Sequence, residues 1–338
     1  MLEQAAALYE APFQHALLLV KPERMKVRRE RTARIWWLHE EARVSMRSAL
    51  KNLPRFIATP RVAKHRFFVF LHSSVLPDTR LNVIARMDDS TFGILCSRIH
   101  EVWSLATASM HGVGNDPTYN AKSCFETFPF PAGLTPRDTA HQRTEVLEDG
   151  AVIPAFASPS SAARSHLLAP VGTGVPDRAG EGGALEESTL KNQSTALTPT
   201  LSRAAGEGAE QASVVSDVRN HAITIARAAK RLNELRERWL NPPEWTEAVP
   251  EVIPLGMDKS PYPDRILPRA NLGAADLAEL KKRTLTNLYN QRPAWLEDAH
   301  AALDAAVAGA YGWADYSVAM TDNEILARLL ALNLERAA

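Results

Sequence analysis

Residues 55–71 read RFIATPRVAKHRFFVFL, in which two short apolar runs flank a basic turn that contains a proline. Aromatic and β-branched residues favour strands, and proline interrupts them, so this stretch predicts strands at 55–59 and 66–71. A similar run at 80–86, RLNVIAR, follows the turn residues Leu-Pro-Asp-Thr at 76–79. The sequence therefore predicts three short strands separated by turns.

Outside these strands, apolar residues recur at spacings of three and four, which is the pattern of amphipathic helices. The last predicted helix begins at Thr321, where Thr321 and Glu324 have the capping-box spacing. The other predicted helices are 28–50, 90–106 with Ser90 or Thr91 as N-cap, 217–239, 274–290 and 294–310. Strands and helices in separate runs predict an α+β fold, with a mixed front domain and a mainly helical C-terminal region.

The segment between these regions has a different composition. From residue 134 to 216, Pro, Gly, Ser, Thr and Ala dominate, periodicity is lost, and Phe156 is the only aromatic residue. Such a segment has too little apolar surface to offset the entropy of ordering it. We therefore predict a folded domain at 1–131, a disordered low-complexity insert at 132–216 and a helical domain at 217–338. Within the insert, Leu197–Gly208 resembles translated intergenic repeat DNA.

Charge is distributed unevenly. The 338 residues contain 39 basic and 39 acidic side chains, a formal net charge of zero, yet Lys21–Arg66 holds 14 Lys and Arg against 4 Asp and Glu. This local excess is interleaved with aromatic residues, a composition suited to contact with a polyanion. The zero total excludes a uniformly basic nucleic-acid coat.

Several other classes of protein are disfavoured. Two cysteines, Cys96 and Cys124, cannot build a disulfide framework or a Cys-x-x-Cys zinc pair. The start, Met1–Gln4, lacks the basic segment of a signal peptide, and the apolar runs are too short for a membrane span. The sequence predicts a cytoplasmic protein with no metal site and no membrane partner.

Two near-matches to catalytic motifs are weak. Gly112-Val113-Gly114 follows a predicted helix, whereas a nucleotide-binding glycine loop follows a strand. Asn241-Pro242-Pro243-Glu244-Trp245 approximates the Asn-Pro-Pro-aromatic turn that grips a flipped adenine, but Glu occupies the aromatic position. Helix termination by the proline pair is the better interpretation. We therefore predict no catalytic and no cofactor-binding residue in the chain.

Longer motifs resemble one family. They are VKPER at Val20–Arg24, IWWL at Ile35–Leu38, the stretch 55–71, SRIHEVW at Ser97–Trp103, the run from Gly112 to Pro131 that ends in FETFPFP, LYNQRPAWL at Leu288–Leu296, Ala299–Trp313 and Glu324–Arg336. Together they resemble the target recognition domain and helical tail of large bacterial DNA adenine methyltransferases, the MmeI-like, type IIL restriction–modification group.

The resemblance implies the DNA-recognition portion of an adenine-specific methyltransferase, with double-stranded DNA as its partner. The family's methyltransferase domain, with its S-adenosylmethionine loop, has no counterpart here, so the chain is expected to be inactive alone and to pair with that missing half. Two alternatives remain: a specificity subunit that docks a separately encoded methyltransferase, and a decayed gene fragment.

Charge and position select candidate DNA-binding residues. Lysine and arginine neutralise phosphates, and an arginine at a strand end can read guanine edges. The predicted phosphate contacts are Lys21, Arg24, Arg28, Arg29 and Arg31. The predicted residues near the bases are Arg55, Arg61, Lys64 and Arg66.

Overall fold

A computed structural model describes residues 3–38, 43–111, 116–156, 200–251, 258–260 and 262–337, with side chains of the long helix described from residue 213. The chain divides into two compact units, Met1–Leu53 and Pro54–Ala338. Helices and small antiparallel sheets occupy the described ranges, which confirms the predicted α+β class. Within those ranges, no helix combines the length and the apolar character needed to cross a membrane.

The first unit is helical. Its helices are α1 (Glu3–Ala7), α2 (Glu10–Met25), α3 (Glu30–Arg34) and α4 (Val44–Leu50). Trp36 is its buried centre: its indole Nε1 donates to Glu3 Oε1 at 3.1 Å, and its ring lies 5.4 Å from that of Phe13. The single helix predicted at 28–50 is wrong, because α3 ends at Arg34 and α4 begins only after Arg43, whose backbone is left-handed with φ 47°.

The second unit begins with the three predicted strands. They are β1 (Arg55–Pro60), β2 (Val69–His72) and β3 (Leu81–Ile84). The central strand β1 pairs antiparallel with both neighbours, and Ile57 lies opposite Phe70 on one side and Ile84 on the other. The second strand begins three residues later than predicted, so residues 61–68 form a longer connection between β1 and β2.

Two helices replace the one predicted at 90–106. These are α5 (Asp89–Cys96) and α6 (Arg98–Ala106). Ser97 between them is extended, with φ −73° and ψ 153°, and its side chain accepts from His100 N as the N-cap of α6. Asp88 caps α5 by accepting from Thr91 N at 2.8 Å, so the cap lies earlier than the predicted Ser90 or Thr91.

Short elements follow, and they extend into the predicted insert. They are β4 (Ser109–His111), β5 (Asp116–Thr118), a π-helical turn (Ala121–Phe125), β6 (Thr144–Val146) and β7 (Val152–Pro154). Strands β6 and β7 form an antiparallel hairpin in which Ala151 and Ile153 are fully buried. The prediction of disorder is therefore wrong for residues 132–156. A short hairpin with few apolar residues can be stable when those residues pack against an existing core. Residues 157–199 of the predicted insert lie outside the described residues. Its last part, residues 200–216, is helical and not disordered as predicted, because it forms the start of the helix Thr200–Leu240.

The C-terminal part is mainly helical, as predicted. It contains α7 (Thr200–Leu240), the hairpin β8 (Thr246–Val249) and β9 (Arg265–Pro268), α8 (Ala274–Lys282), α9 (Leu285–Gln291), α10 (Ala294–Ala310) and α11 (Asp322–Ala337). Helix α10 has the predicted bounds, and Thr321 Oγ1 caps α11 by accepting from Glu324 N at 3.2 Å. The helix predicted at 274–290 is two helices, because Thr284 is extended and caps α9.

One core joins the front and rear of this second unit. Helix α5 lies against α7 and α10, and a Cβ on Gly93 would stand 2.7 Å from Ile225 Cγ2 and 3.1 Å from Leu303 Cδ1. The absence of a side chain at Gly93 lets the helices approach closely. Residues from before and after the predicted insert are therefore packed into a single core.

Candidate nucleic-acid interface

The connection between β1 and β2 carries three of the nine predicted DNA-binding residues. Its backbone is tied on both sides: Arg61 N donates to Arg80 O at 2.8 Å, and Arg61 O accepts from Tyr119 N at 2.7 Å. Arg61, Lys64 and His65 lie on its surface, at least partly exposed. We call residues 61–65 the basic loop.

Arg66, at the end of this loop, has an internal role. Its guanidinium is buried and donates to Thr59 Oγ1 at 3.0 Å, to Pro60 O at 2.6 Å and to Pro117 O at 3.1 Å. Burial lowers the pKa of Arg66, and the nearby Tyr119 opposes that shift. Arg66 therefore uses its donors to hold the chain on either side of the basic loop.

Arg55 is also engaged within the protein. Its Nη2 donates to Asp89 Oδ1 at 2.9 Å and its Nε to Met87 O at 3.0 Å, while the guanidinium lies 3.7 Å from the ring centroid of Phe70. Asp89 also accepts from Val152 N at 2.7 Å. Burial raises the pKa of Asp89, and Arg55 counteracts part of that shift. This contact fixes the start of β1 to α5 and to the β6–β7 hairpin.

Arg61 and Lys64 have the exposure that a phosphate contact requires. Arg61 Nη1 donates to Thr79 O at 3.3 Å, a long bond that leaves most of its donors to solvent. Lys64 Nζ donates to Asn290 Oδ1 at 2.7 Å, and the neighbouring His65 Nε2 lies 2.9 Å from the same oxygen. Of the four residues predicted near the bases, these two present charge on the surface.

The five predicted phosphate contacts all lie in the first unit. Lys21, on α2, lies 4.9 Å from the ring centroid of Trp36, so an aromatic face holds its ammonium group. Arg24 is half-buried on the same helix, and Arg28, Arg29 and Arg31 are exposed around the start of α3.

The Asn-Pro-Pro segment terminates a helix. Helix α7 ends at Leu240, and Pro242 O accepts from Trp245 N and Thr246 N, both at 2.9 Å. The Arg283 guanidinium lies 4.4 Å from the Trp245 ring centroid. A base-binding turn would need a free carbonyl group and a free aromatic face. Here Pro242 O and one face of Trp245 already have partners within the protein, so this segment does not fit an adenine-binding turn. Gly112–Gly114 lie outside the described residues.

The described part of the chain shows no cluster of side chains suited to bind a metal ion. Within those ranges, no group of three or more His, Cys, Asp or Glu side chains could hold an ion. His100, a fully buried histidine of the front region, bonds within the core, with partners that include Leu95 O (3.0 Å) and the Tyr119 hydroxyl (3.1 Å). Burial lowers its pKa to about 3, so it is a neutral structural residue.

Two residues beside the basic loop were not predicted as site residues from the sequence. Tyr289 and Asn290, on α9, contact His65 and Lys64 of the basic loop across more than 220 positions of sequence. No local pattern marks either residue as a partner of that loop. They were identified only as part of the family-like motif at Leu288–Leu296.

Comparisons with known proteins give one similarity. No protein-family model matches the chain, and no curated protein matches it by sequence. The structure is similar to that of MmeI, a type IIL restriction–modification enzyme solved in complex with DNA, with a TM-score of 0.44 and 12% sequence identity. The match covers 94% of this chain and 25% of that enzyme, so the chain spans about a quarter of its length.

Proposed function

We propose that the chain is a DNA-recognition portion of a bacterial adenine-specific DNA methyltransferase of the restriction–modification type, inactive in methyl transfer by itself. The observation that carries this proposal is the basic loop. Arg61 and Lys64 carry exposed charge on a loop whose first residue, Arg61, is hydrogen-bonded through both its N–H and its carbonyl group. An anchored loop bearing cations is suited to contact a phosphate backbone, since less entropy is lost on binding.

One internal arginine supports the same proposal. Arg66 donates to Pro60 O before the loop and to Pro117 O, so the loop is anchored at both of its ends. The long motifs of the sequence point to the same family. The methyl donor S-adenosylmethionine would be held by a catalytic region outside these 338 residues, and no step of methyl transfer is assigned to the described residues.

The proposal is tested by a mobility-shift titration of duplex DNA at several salt concentrations. Replacing Lys64 or Arg61 with Ala should weaken binding and lower the slope of log K against log salt by about one unit. The matched control is Lys230→Ala, because Lys230 is ion-paired with Glu234 on α7. Equal slopes for all variants would remove the basic loop from the DNA footprint.

The inactivity of the chain is tested separately. With duplex DNA and labelled S-adenosylmethionine, the purified chain should transfer no label. Methyl transfer by the chain alone would contradict the assignment of the chemistry to another region.

A further inference from the structure

Helix α9 braces the basic loop. Tyr289 stacks on Phe67, with ring centroids 5.9 Å apart and planes at 28°, and its ring lies 6.1 Å from that of His65. The next residue, Asn290, places Oδ1 2.7 Å from Lys64 Nζ and 2.9 Å from His65 Nε2. Consecutive residues of one helix therefore hold this region. Tyr289 packs its ring against His65 in the basic loop and against Phe67 just after it, and Asn290 contacts two side chains of the loop through hydrogen bonds.

The chemistry of these groups sets the orientation of the Asn290 amide. A lysine ammonium group only donates hydrogen bonds, so the atom facing Lys64 must be the carbonyl oxygen of the amide. The same oxygen accepts from His65, which places a proton on Nε2. Lys64 uses one of its three donors in this contact, which leaves two for a phosphate oxygen.

The helix that carries these residues is itself anchored. Leu288 is fully buried, and the Tyr289 hydroxyl lies 3.0 Å from His300 Nε2 on α10. Thr284 caps the helix by accepting from Asn287 N at 3.2 Å. Asn290 thus presents a fixed acceptor to side chains that would otherwise be free to move.

We propose that Asn290 is a positioning residue for DNA binding: its amide oxygen holds Lys64 and His65 in the arrangement that meets the phosphate backbone. This inference rests on the proposed function. A flexible lysine that is already held loses less side-chain entropy on binding, an effect of about three- to tenfold in affinity. Since Asn290 is neutral, it orders Lys64 without cancelling its charge.

The test measures duplex DNA binding by the full chain, in mobility-shift titrations at several salt concentrations. Asn290→Ala should weaken binding by about three- to tenfold with an unchanged salt slope, because the ammonium charge remains. Lys64→Ala should lower the slope by about one unit. In the Lys64→Ala/His65→Ala background, adding Asn290→Ala should change nothing further.

A second variant separates positioning from a loss of folding. Asn290→Asp keeps an oxygen acceptor for both donors but pairs the Lys64 charge, so the thermal melt should match the wild type while the salt slope falls by about one unit. An unchanged slope in this variant would overturn the proposal. An equal loss from Asn290→Ala in the wild-type and doubly substituted backgrounds would also overturn it, since Asn290 would then act independently of its two partners.

The positioning role of Asn290 and the proposed DNA binding are tested by different outcomes. If the wild type binds duplex DNA with a slope that Lys64→Ala lowers, and Asn290→Ala has no effect on affinity, the positioning role is wrong and the proposed function stands. If the wild type shows no salt-dependent binding to duplex DNA, the proposed function itself is wrong.

Discussion

The backbone N–H of Arg98, in the first turn of α6, donates a hydrogen bond to Oδ1 of Asp304 on α10 at 2.7 Å. The contact joins the front of the second unit to its C-terminal helices. Asp304 is 7% exposed, and burial raises its pKa to about 7 against the stabilising effect of that hydrogen bond. In the folded protein, the Asp304 carboxyl group therefore stays protonated to a higher pH than an ordinary aspartate.

Asp304 should make stability depend on pH in a definite direction. An acid whose pKa is raised on folding binds more protons in the folded state, so stability falls as pH rises from about 4 to about 7. Asp304→Asn removes this titration and keeps an acceptor for Arg98 N. Relative to the wild type, the variant should gain about 3–4 kcal/mol across that range, measured by urea unfolding at each pH. Asp298→Asn, at an exposed position of the same helix, is the control, and the same gain there would contradict the assignment.

Gly93 should not tolerate substitution by alanine. Its Cβ would stand 2.7 Å from Ile225 Cγ2 and 2.9 Å from Ala229 Cβ, too close for packed helices that cannot separate freely. We expect Gly93→Ala to lower the free energy of unfolding by about 1–3 kcal/mol. Gly309→Ala is the matched control on α10, because a Cβ there meets no atom within 4 Å; it should be neutral or stabilising by up to about 1 kcal/mol. Equal effects in the two variants would rule out the close approach of α5 to α7.

The hairpin within the predicted insert should contribute to stability. Ile153 on β7 is fully buried, whereas Val146 on β6 is 66% exposed. Ile153→Ala should cost about 2–5 kcal/mol because it leaves a cavity in the core, and Val146→Ala should change stability by less than about 0.5 kcal/mol. Thermal and urea unfolding of both variants measure the difference. A neutral Ile153→Ala would restore the expectation that 132–156 is disordered.

The Tyr119–His100 pair should stabilise a neutral imidazole. Leu95 O accepts from His100 Nδ1, so His100 Nε2 accepts from the Tyr119 hydroxyl at 3.1 Å. Tyr119→Phe leaves that nitrogen unpaired in the core and should cost about 1–3 kcal/mol, whereas Tyr262→Phe, at a half-exposed ring, should cost little.

The same histidine should respond to acid. Its pKa is lowered to about 3 by burial, so it contributes stability above its unfolded pKa that is lost as pH falls from about 6.5 toward 3. In the wild type, ¹⁵N NMR should show the neutral ring with its proton on Nδ1 at pH 5. A charged His100 at pH 5 would contradict the burial that the structure gives it.

The sequence alone determined the elements whose signals are local. The three strands around 55–86, the helix Ala294–Ala310 and the cap at Thr321 follow from apolar periodicity and capping chemistry, which act within a few residues. The basic loop was also visible, since charge and a proline turn are local features. The breaks at Ser97 and Thr284 were missed because amphipathic spacing continues across them.

Which charges face solvent depends on contacts between segments that are distant in sequence. Arg55 and Arg66 looked equivalent to Arg61 and Lys64 in sequence, yet Asp89, Pro60 and Pro117 engage the first pair inside the protein. Asn290 reaches Lys64 across 226 positions, and Ile153 is buried in a segment whose composition predicted disorder. Burial and pairing are properties of neighbours brought together by the fold, so no window of sequence contains them.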